Sequence, residues 1–363
     1  MRLSRRRAPP ADGRLSAAYD FALPSELIAQ EPATRRDASR LLVLAPNGIA
    51  HRRFADIGDY LHPGNVLVLN ETRVIPARLL GTRSKGGGSA ELLLLHPADS
   101  LRYRPDARRW VALARPARRI RSGERIDFAA GGHAIVLRAL EGGLREIEFT
   151  LSLPFESFLE RAGTVPLPPY VRAETEGARR GYQTVFARVP GSVAAPTAAL
   201  HFTADLLENL ARRGVELARI SLEVGLGTFR PISTERIDEH VMHAEAFAVS
   251  PEAAAAIERA RFEGRRIVAA GTTVVRALES SMQTYGRIAP GDHIAELFIS
   301  PGFTFRAVDA MITNFHLPRS SLLVLVSAFA GRERILAAYA EAVAHRYRFF
   351  SFGDAMFITK GAS

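Results

Sequence analysis

The sequence predicts a mixed α/β domain with a small β-barrel domain inserted into it, and three observations lead to this fold class. A chain of 363 residues is long enough for about two domains. From residue 66 to residue 151 short apolar stretches alternate with turn-forming residues, which is typical of a small barrel or sandwich. From about residue 152 strand patterns alternate with helix patterns. We therefore expect a barrel over residues 66–151, an α/β domain from residues 18–65 and 152–363, and a disordered basic tail over residues 1–17.

The predicted barrel begins with VLVLN (66–70) and ends with REIEFTL (145–151). In the last strand two apolar residues alternate with two glutamates, which is the period-two pattern of a strand with one solvated face.

Capping signals mark the helices of the α/β domain. In SPEAAAAIERARFEG, Ser250 is a suitable N-cap, Pro251 occupies the first helical position and Gly264 ends the helix. RRIVAA then predicts a buried strand and TTVVRALESSMQTYG another helix. The continuous apolar run LLVLVSAF (322–329) predicts a strand that is covered on both faces.

The charge balance favours an anionic partner. Lys plus Arg is 48 and Asp plus Glu is 38, so the net charge is +10, an excess that suits nucleic-acid binding. The absence of cysteine excludes disulfides, thiolate catalysis, zinc ribbons and iron–sulfur clusters. No apolar run approaches the ~20 residues of a membrane span and no signal peptide is visible, so we expect a cytoplasmic location.

The segment AAGTTVVRALES predicts an anion site. A strand ends, Gly271 turns the chain, and Thr272 and Thr273 open a helix whose free N–H groups attract a carboxylate or phosphate. Arg276 follows one turn later on roughly the same face. The alternative is ordinary capping by threonine, with Arg276 and Glu279 as a surface ion pair.

Two glycines in VGLGTFRP, Gly225 and Gly227, indicate backbone that passes close to a ligand or to a neighbouring strand. The third glycine of a dinucleotide-binding fingerprint is missing, and so is a P-loop.

Histidines cluster with a carboxylate in DEHVMHAEAF. As a strand or loop this segment puts His243 and Glu245 on one side, where they could share proton transfer. The alternative is a hydrogen-bonded core histidine. Two further loops of this kind carry Asn314 and His316 in TNFHLPRSS, and Thr197 and His201 in AAPTAALHF.

Residues 101–125 carry nine arginines against two acids, with Tyr103 and Trp110 among them. Arginine with interleaved aromatic residues suits RNA, because guanidinium groups pair with phosphates and rings stack on bases. A solvated strand edge is the alternative.

Together these segments resemble one family, the S-adenosylmethionine:tRNA ribosyltransferase-isomerases of queuosine biosynthesis. The resemblance runs from YDFALPSELIAQEP (19–32) to YRFFSFGDAMFI (347–358). It includes NETRVIPARLLG, VPLPPYV, YQTVFARVPGSVAAPTAALHF, VGLGTFRPI, HVMHAE and AAGTTVVRALES. The family fold is an α/β domain with an inserted barrel, in agreement with the pattern above.

The resemblance implies a monomeric cytoplasmic enzyme without a permanently bound cofactor or metal. Its substrates would be S-adenosylmethionine, as ribosyl donor, and tRNA with 7-aminomethyl-7-deazaguanine at the wobble position. The ribosyl group would be transferred to the aminomethyl nitrogen and rearranged, giving epoxyqueuosine and releasing adenine and methionine.

The resemblance also implies roles for individual residues. The expected catalytic residues are His201, Glu223, His243, Glu245 and His316. The expected S-adenosylmethionine-binding residues are Gly225, Gly227, Thr228, Gly271, Thr272, Thr273, Arg276 and Asn314. The expected tRNA-binding residues are Arg73, Arg78, Tyr170, Gln183 and Thr197, and the arginine-rich segment 101–125 adds Arg118, Arg119 and Arg121.

Two residues depart from the family pattern. Glu223 replaces a histidine before VGLGTF, and Ala199 replaces a glycine before LHF. Glu223 is either a substitute base or the partner of a nearby arginine such as Arg230. Two alternative functions follow: a paralogue that uses S-adenosylmethionine on a different amine, and a non-catalytic RNA-binding protein.

Overall fold

The computed structural model describes residues 12–172, 175–225 and 231–360, and within these ranges the chain forms eighteen β-strands and seven α-helices. The strands are β1 (Arg40–Ala45), β2 (Gly48–Arg53), β3 (Val66–Asn70), β4 (Thr72–Val74), β5 (Arg78–Arg83), β6 (Ser89–Pro97), β7 (Arg109–Arg115), β8 (Arg125–Asp127), β9 (His133–Ala139), β10 (Leu144–Thr150), β11 (Gly163–Thr164), β12 (Val189–Ser192), β13 (Glu216–Leu222), β14 (Glu245–Val249), β15 (Ile267–Ala270), β16 (Gly291–Ala295), β17 (Ala310–Asn314) and β18 (Ala355–Thr359). The helices are α1 (Phe155–Ala162), α2 (Glu176–Gly181), α3 (Ala204–Arg212), α4 (Pro251–Phe262), α5 (Thr272–Tyr285), α6 (Ser321–Ala330) and α7 (Arg332–Ala344).

Nine strands form the main sheet, in the order β16-β14-β13-β3-β15-β17-β18-β1-β2. The central strands β13, β3, β15 and β17 are parallel, so their carboxyl ends meet at the same end of the sheet. Helices α4 to α7 cover one face, and α3 covers the other together with the 3₁₀ segment Phe54–Asp59. This arrangement leaves the strand ends as the place where loops can form a ligand site.

The barrel has six strands, because β5, β6, β7, β10, β9 and β8 follow one another and β8 pairs back to β5. Its strands run from Arg78 to Thr150 and enclose a separate core that contains Trp110 and Phe149. The predicted fold class, an α/β domain with an inserted small barrel, is confirmed.

The prediction that VLVLN (66–70) belongs to the barrel is wrong, because this segment is β3 in the main sheet. Val66 and Val68 pack in the core on one face, whereas Leu67 and Leu69 pack in the core on the other. A strand buried on both faces has no solvated side and therefore fits between two helical layers, not in the wall of a small barrel.

The prediction of a strand over residues 322–329 is also wrong, because the segment forms α6. The hydroxyl of Ser320 accepts a hydrogen bond from the N–H of Leu323 (3.2 Å) and so caps the helix. Helix α6 packs against α5 and α7 and is buried on nearly all sides. A fully buried helix is apolar all round, so its sequence cannot be distinguished from a buried strand by periodicity.

The capping prediction for α4 is confirmed. The Ser250 hydroxyl accepts a hydrogen bond from the N–H of Ala253 (3.1 Å), and Pro251 is the first residue of the helix.

Part of the predicted tail is folded. The Ser16 N–H donates to the Glu235 carbonyl (2.8 Å), and the Arg14 carbonyl accepts from Ile237 (2.9 Å), so residues 12–17 belong to the α/β domain. Residues 1–11 lie outside the described residues. Among the described helices, none has both the length and the apolar character that crossing a membrane requires.

A buried ion pair joins α5 to the sheet. The side chains of Arg276 and Glu245 are each 2% exposed, and Nη1 of Arg276 donates to the Glu245 carboxylate. The rest of the guanidinium donates to backbone carbonyls: Nη2 to His243 (3.1 Å) and Ala295 (3.2 Å), and Nε to Leu297 (3.2 Å). Because its Nε, Nη1 and Nη2 atoms are all engaged, Arg276 supports the fold at the site instead of presenting a free cation.

The alternative of a surface pair between Arg276 and Glu279 is wrong as well. Glu279 is buried, and its carboxylate accepts hydrogen bonds from the N–H groups of Arg306, Ala307 and Val308 at 2.9 to 3.1 Å. The two residues of α5 therefore hold two different segments in place.

We expect Arg276→Met to lower the free energy of unfolding by about 3–5 kcal/mol, because it leaves the Glu245 carboxylate buried without its counter-charge. Urea unfolding measures this. The control is Arg259→Met, which breaks the half-exposed pair with Glu216 and should cost less than about 1 kcal/mol. Equal free energies of unfolding for the two variants would contradict the structural role of Arg276.

Candidate active site

A cleft lies at the carboxyl ends of β15 and β17, between loops that are far apart in the chain. It has about 610 Å³ of space not filled by protein atoms, part of it open to solvent. The residues that were predicted from the sequence and that line this cleft are Tyr170, Thr197, Gly271, Thr272, Thr273, Asn314 and His316.

The lining of the cleft is uncharged. Among the described residues around it, none is Asp, Glu, Lys or Arg, and apolar side chains such as Phe315, Leu317 and Leu322 form much of the wall. Among the described residues, the groups that this cleft offers are hydrogen-bonding groups, aromatic surface and backbone dipoles.

Asn314, the last residue of β17, presents a buried acceptor. Its Nδ2 donates to the Phe350 carbonyl (3.0 Å) and to Nε2 of His201 (3.3 Å), so both amide hydrogens are engaged. The side chain is 3% exposed, and its Oδ1 has no hydrogen-bond partner among the described residues. A buried acceptor of this kind costs about 1–3 kcal/mol unless a ligand or water satisfies it.

His201 lies behind Asn314 and not in the cleft itself. Its Nδ1 is 2.7 Å from the Ser39 hydroxyl, and its ring stacks on Phe54 with centroids 5.0 Å apart. Since Nε2 accepts from Asn314, Nδ1 carries the proton and donates to Ser39, which in turn donates to the Arg36 carbonyl. Burial lowers the pKa of His201 to about 4, so the ring is neutral and both nitrogens are used inside the protein.

His316 keeps one nitrogen available. Its Nε2 is 2.8 Å from the Thr313 hydroxyl, which donates to the Asn314 carbonyl (3.2 Å), so Nε2 is the protonated atom. No hydrogen bond reaches its Nδ1 from the described residues, and that atom is an acceptor. Burial lowers the pKa of His316 to about 3, so the ring is neutral at physiological pH.

An aromatic wall closes one side of the cleft. The ring of Tyr170 stacks on that of Phe350, with centroids 4.5 Å apart and 24° between the planes. The Tyr170 hydroxyl bonds to that of Ser351, which fixes the ring.

The amino end of α5 forms another side. Gly271 is the N-cap, with φ of +111°, a conformation that disfavours side-chain residues, and no side chain caps the helix. Thr272 and Thr273 follow and line the cleft, so the first-turn N–H groups and two hydroxyls lie at the positive end of a fourteen-residue helix.

A second cavity lies between the barrel and the main sheet. It has about 1030 Å³ of space not filled by protein atoms, again partly open to solvent. The barrel contributes residues such as Leu95, Leu113 and Leu144, and the α/β domain contributes Glu223 and its neighbours. Val224 lines both this cavity and the cleft, so the two spaces adjoin.

Glu223 follows β13 and is 9% exposed. Its carboxylate accepts two hydrogen bonds from the backbone N–H of Tyr103 in the barrel (2.9 and 3.1 Å) and lies 3.5 Å from Nη1 of Arg102. Burial raises the pKa of Glu223 to about 7, although the Tyr103 N–H and Arg102 oppose this shift. Arg230, the partner considered from the sequence, lies outside the described residues, and the arginine found beside Glu223 is Arg102.

The other predicted residues of this region have different surroundings. His243 is exposed at the cavity wall, whereas Glu245 is buried, bonded to Arg276, and accepts a hydrogen bond from the N–H of Gly225 (3.2 Å). Gly225 lines the same cavity. The predicted Gly227 and Thr228 lie outside the described residues.

Several predicted tRNA-binding residues lie in neither space. The side chain of Gln183 bonds to both backbone groups of Val74 (3.0 and 3.2 Å), and Arg78 pairs with Glu91 (2.8 Å). Arg73 is exposed.

Arg118, Arg119 and Arg121 are exposed on the turn that connects β7 to β8 of the barrel. The buried Arg145 supports this turn, because its Nε donates to the Ile120 carbonyl (2.6 Å). We call residues 118–121 the arginine turn.

Reasoning from the sequence missed four residues of the site: Ser39, Arg102, Phe350 and Ser351. Phe350 and Ser351 belong to YRFFSFGDAMFI, a segment of the family resemblance, and this was the only signal for them. Ser39 comes from a segment with no motif, whereas Arg102 lies in the arginine-rich segment 101–125 that was predicted to suit RNA. Only the folded chain places these two residues beside His201 and Glu223.

Comparison with known proteins identifies the family of this chain. The family model described as queuosine biosynthesis protein matches residues 16–358. A relative from Symbiobacterium thermophilum, named S-adenosylmethionine:tRNA ribosyltransferase-isomerase, is 54% identical over 94% of this chain and 98% of its own. A relative of the same name from Moorella thermoacetica is 53% identical with the same coverage. The crystal structure of S-adenosylmethionine tRNA ribosyltransferase from Thermotoga maritima is 38% identical, covers 94% of this chain and 99% of its own, and has a TM-score of 0.52.

The family match spans nearly all of the described residues, and the residues that line the cleft fall within it. The chain therefore belongs to the queuosine biosynthesis protein family of S-adenosylmethionine:tRNA ribosyltransferase-isomerases.

Proposed function

We propose that this chain transfers the ribosyl group of S-adenosylmethionine to 7-aminomethyl-7-deazaguanine at the tRNA wobble position and isomerises it. The products are epoxyqueuosine in tRNA, adenine and methionine. One observation carries the proposal: the segments of the family resemblance converge on an uncharged cleft that shares a wall with a cavity between the two domains. A reaction between a small donor and a nucleobase needs two adjoining sites of this kind. We further propose that the enzyme acts in the cytoplasm, as a monomer and without a bound cofactor.

The adenine of S-adenosylmethionine fits the Asn314 side of the cleft. Asn314 Oδ1 is a buried acceptor without a partner, and the 6-amino group of adenine is a donor that could satisfy it. The stacked pair of Tyr170 and Phe350 offers aromatic surface beside it. In this arrangement His201 is a positioning residue, because it holds the Asn314 amide with Oδ1 as the free atom.

The methionine carboxylate fits the amino end of α5. No cationic side chain lines the cleft among the described residues, so the first-turn N–H groups beside Gly271 and the hydroxyls of Thr272 and Thr273 are the groups suited to an anion. Arg276 was expected to contribute here, but its donors are engaged within the fold.

The deazaguanine nucleotide fits the cavity between the domains. Its aminomethyl group must lose a proton before the nitrogen can attack the ribosyl carbon. Glu223, with a pKa of about 7, is a suitable acceptor for that proton near physiological pH. The exposed His243 at the same cavity wall can pass the proton to solvent.

His316 is the candidate base on the donor side. The sulfonium of S-adenosylmethionine acidifies the neighbouring C5′ protons of the ribose, and Nδ1 of His316 is an acceptor in the wall of the cleft. Its pKa of about 3 makes it a weaker base than an ordinary imidazole. His201 and Glu245 are less suited, because their polar atoms already bond to Asn314, Ser39, Gly225 and Arg276.

The tRNA backbone has an electrostatic partner on the barrel. The net charge of +10 attracts a polyanion, and the arginine turn presents three exposed guanidinium groups on a turn held by Arg145. We propose this turn, together with Arg73, as a contact for tRNA phosphates.

The two alternatives from the sequence are not favoured. Relatives with more than half of their residues identical carry the name of the ribosyltransferase-isomerase, not that of an enzyme acting on another amine. The same name also disfavours a non-catalytic RNA-binding protein, because it denotes an enzyme.

Incubation with S-adenosylmethionine and tRNA carrying the deazaguanine should release adenine and methionine in equal amounts. Nucleoside mass spectrometry should find epoxyqueuosine in the tRNA. The control is the same tRNA with guanine at the wobble position, which lacks the amine and should not react. Stoichiometric S-adenosylhomocysteine would show methyl transfer and reject the proposal.

We expect Asn314→Ala to lower kcat/KM by about 10- to 100-fold, since it removes a hydrogen bond in a buried site. With the parent enzyme, a donor analogue that carries purine in place of adenine should also have a kcat/KM about 10- to 100-fold lower. With Asn314→Ala the analogue and the natural donor should have similar kcat/KM, because the two changes delete the same contact. His201→Phe keeps the stacking on Phe54 and should lose part of this discrimination. Asn65→Ala, which removes another buried asparagine, is the control and should keep it. If Asn314→Ala and the parent enzyme discriminate equally between the natural donor and the purine analogue, the adenine does not bind at Asn314.

We expect Glu223→Gln to slow the chemical step by about two to four orders of magnitude while S-adenosylmethionine binding changes little. The parent rate should rise with pH through about 7 as Glu223 loses its proton, and the glutamine variant should lack this limb. Glu223→His should recover activity, with a limb near the ordinary histidine pKa of about 6.5.

The matched control is Glu146→Gln, which changes another buried glutamate, paired with Arg138 in the barrel. It should keep the parent rate and pH profile. If Glu223→Gln also turns over at the parent rate, Glu223 serves only to join the barrel to the main sheet through Tyr103 and Arg102.

A further inference from the structure

Three side chains that could ligate a metal converge at the edge of the main sheet, outside the cleft and the cavity. They are His51 on β2, Glu341 on α7 and His345 directly after α7, and their ligand atoms all lie within 4.8 Å of one another. Both Nε2 atoms approach the same carboxylate oxygen: that of His345 lies 3.0 Å and that of His51 3.5 Å from Oε1 of Glu341.

These distances suit a bound ion. With metal–ligand bonds of 2.0–2.1 Å in a tetrahedral site, neighbouring ligand atoms are about 3.3 Å apart. Glu341 and His345 are four residues apart and project from the same side of the last helical turn, where the His345 N–H still bonds to the Glu341 carbonyl (2.9 Å). The two imidazole rings are stacked, with centroids 4.5 Å apart and 12° between the planes. Because the lone pair of each Nε2 lies in its ring plane and the two planes are nearly parallel, one ring must rotate for both nitrogens to bind the same ion.

A buried tyrosine orients one ligand. The hydroxyl of Tyr347 lies 2.8 Å from Nδ1 of His51, which leaves Nε2 of that ring facing Glu341. When the hydroxyl accepts a hydrogen bond from Nδ1–H, the ring has the tautomer with an unprotonated Nε2 that a metal requires. Tyr347 is held in place by the ring of Phe315 and by the Arg40 guanidinium over its face.

The surroundings tolerate a cation. Nη1 of Arg40 donates to the His345 carbonyl (2.9 Å), and the charge of Arg40 is compensated by Asp354 at 2.8 Å. The three ligands are partly exposed, so a metal can reach them from solvent and keep a water molecule as a further ligand.

Strand β2 is an edge strand whose side chains are almost all exposed. It is held mainly by its hydrogen bonds to β1, and its core contacts are few. A metal ion bound to His51 on this strand and to the end of α7 would join two segments that are about 290 residues apart in the chain, and would therefore stabilise this edge of the fold.

We propose that His51, Glu341 and His345 form a binding site for a divalent transition metal such as Zn²⁺, which links β2 to the carboxyl end of α7. Two imidazoles and one carboxylate are a donor set that selects Zn²⁺, Co²⁺ or Ni²⁺ over Mg²⁺ and Ca²⁺. The sequence predicted no metal site, because the ligands come from opposite ends of the chain.

The test uses the full-length protein without an affinity tag. Calorimetric titration with Zn²⁺ should give one saturable site per chain, and Co²⁺ should give visible absorption bands of a protein-bound ion. Saturating Zn²⁺ should raise Tm by at least about 2 °C. Mg²⁺ should do neither.

Variants separate this site from general binding by histidines. His345→Ala and Glu341→Gln should each abolish the saturable site, whereas His62→Ala, which removes an exposed histidine elsewhere, should keep it. Tyr347→Phe should weaken binding by about 10- to 100-fold through loss of the hydrogen bond to His51. Circular dichroism confirms that each variant is folded. Zn²⁺ binding that His345→Ala leaves unchanged, or the absence of a saturable site in the parent, would overturn the proposal.

Discussion

The buried ion pair between Arg276 and Glu245 is the interaction on which the geometry of the site depends. Burying two charges is costly, and the cost is offset only when every polar atom is paired. Here the pairing extends to backbone carbonyls on both sides of Arg276 and to the N–H of Gly225. The same pair therefore fixes α5, whose amino end lines the cleft, and the segment beyond Glu223, which lines the cavity. The cleft and the cavity keep a fixed position relative to each other because the same ion pair holds a segment of each.

Around this pair the site is built from neutral polar groups. Burial keeps His201 and His316 uncharged, and hydrogen bonds to Ser39, Asn314 and Thr313 assign a tautomer to each. If S-adenosylmethionine binds in this cleft as proposed, the fixed dipoles of the described neutral groups would need little reorganisation during the reaction. Glu223 differs, because its raised pKa places proton exchange near neutral pH, on the side of the site where the barrel meets the sheet.

Local signals in the sequence were enough for much of the fold and for part of the site. The cap of α4 and the turn at Gly271 depend on neighbouring residues only, and both are as predicted. Strand β3 and helix α6 were assigned wrongly, because their apolar runs reflect burial on all sides, which a strand and a helix share. The predicted role of Arg276 was wrong for a related reason. The sequence indicates on which face of the helix Arg276 lies, but the carbonyls and the carboxylate around it come from other strands.

The sequence by itself determined the family, the order of the elements and the chemical groups available, since motifs, caps and charge balance are properties of neighbouring residues. Only the tertiary structure decided which of those groups face a ligand. In the folded chain His201 lies outside the cleft and Arg276 is paired within the core. Glu223 contacts the barrel, and His51 lies beside the end of α7. The physical reason is that a polar side chain takes its role from the partners that surround it after burial, and those partners lie far away in the chain.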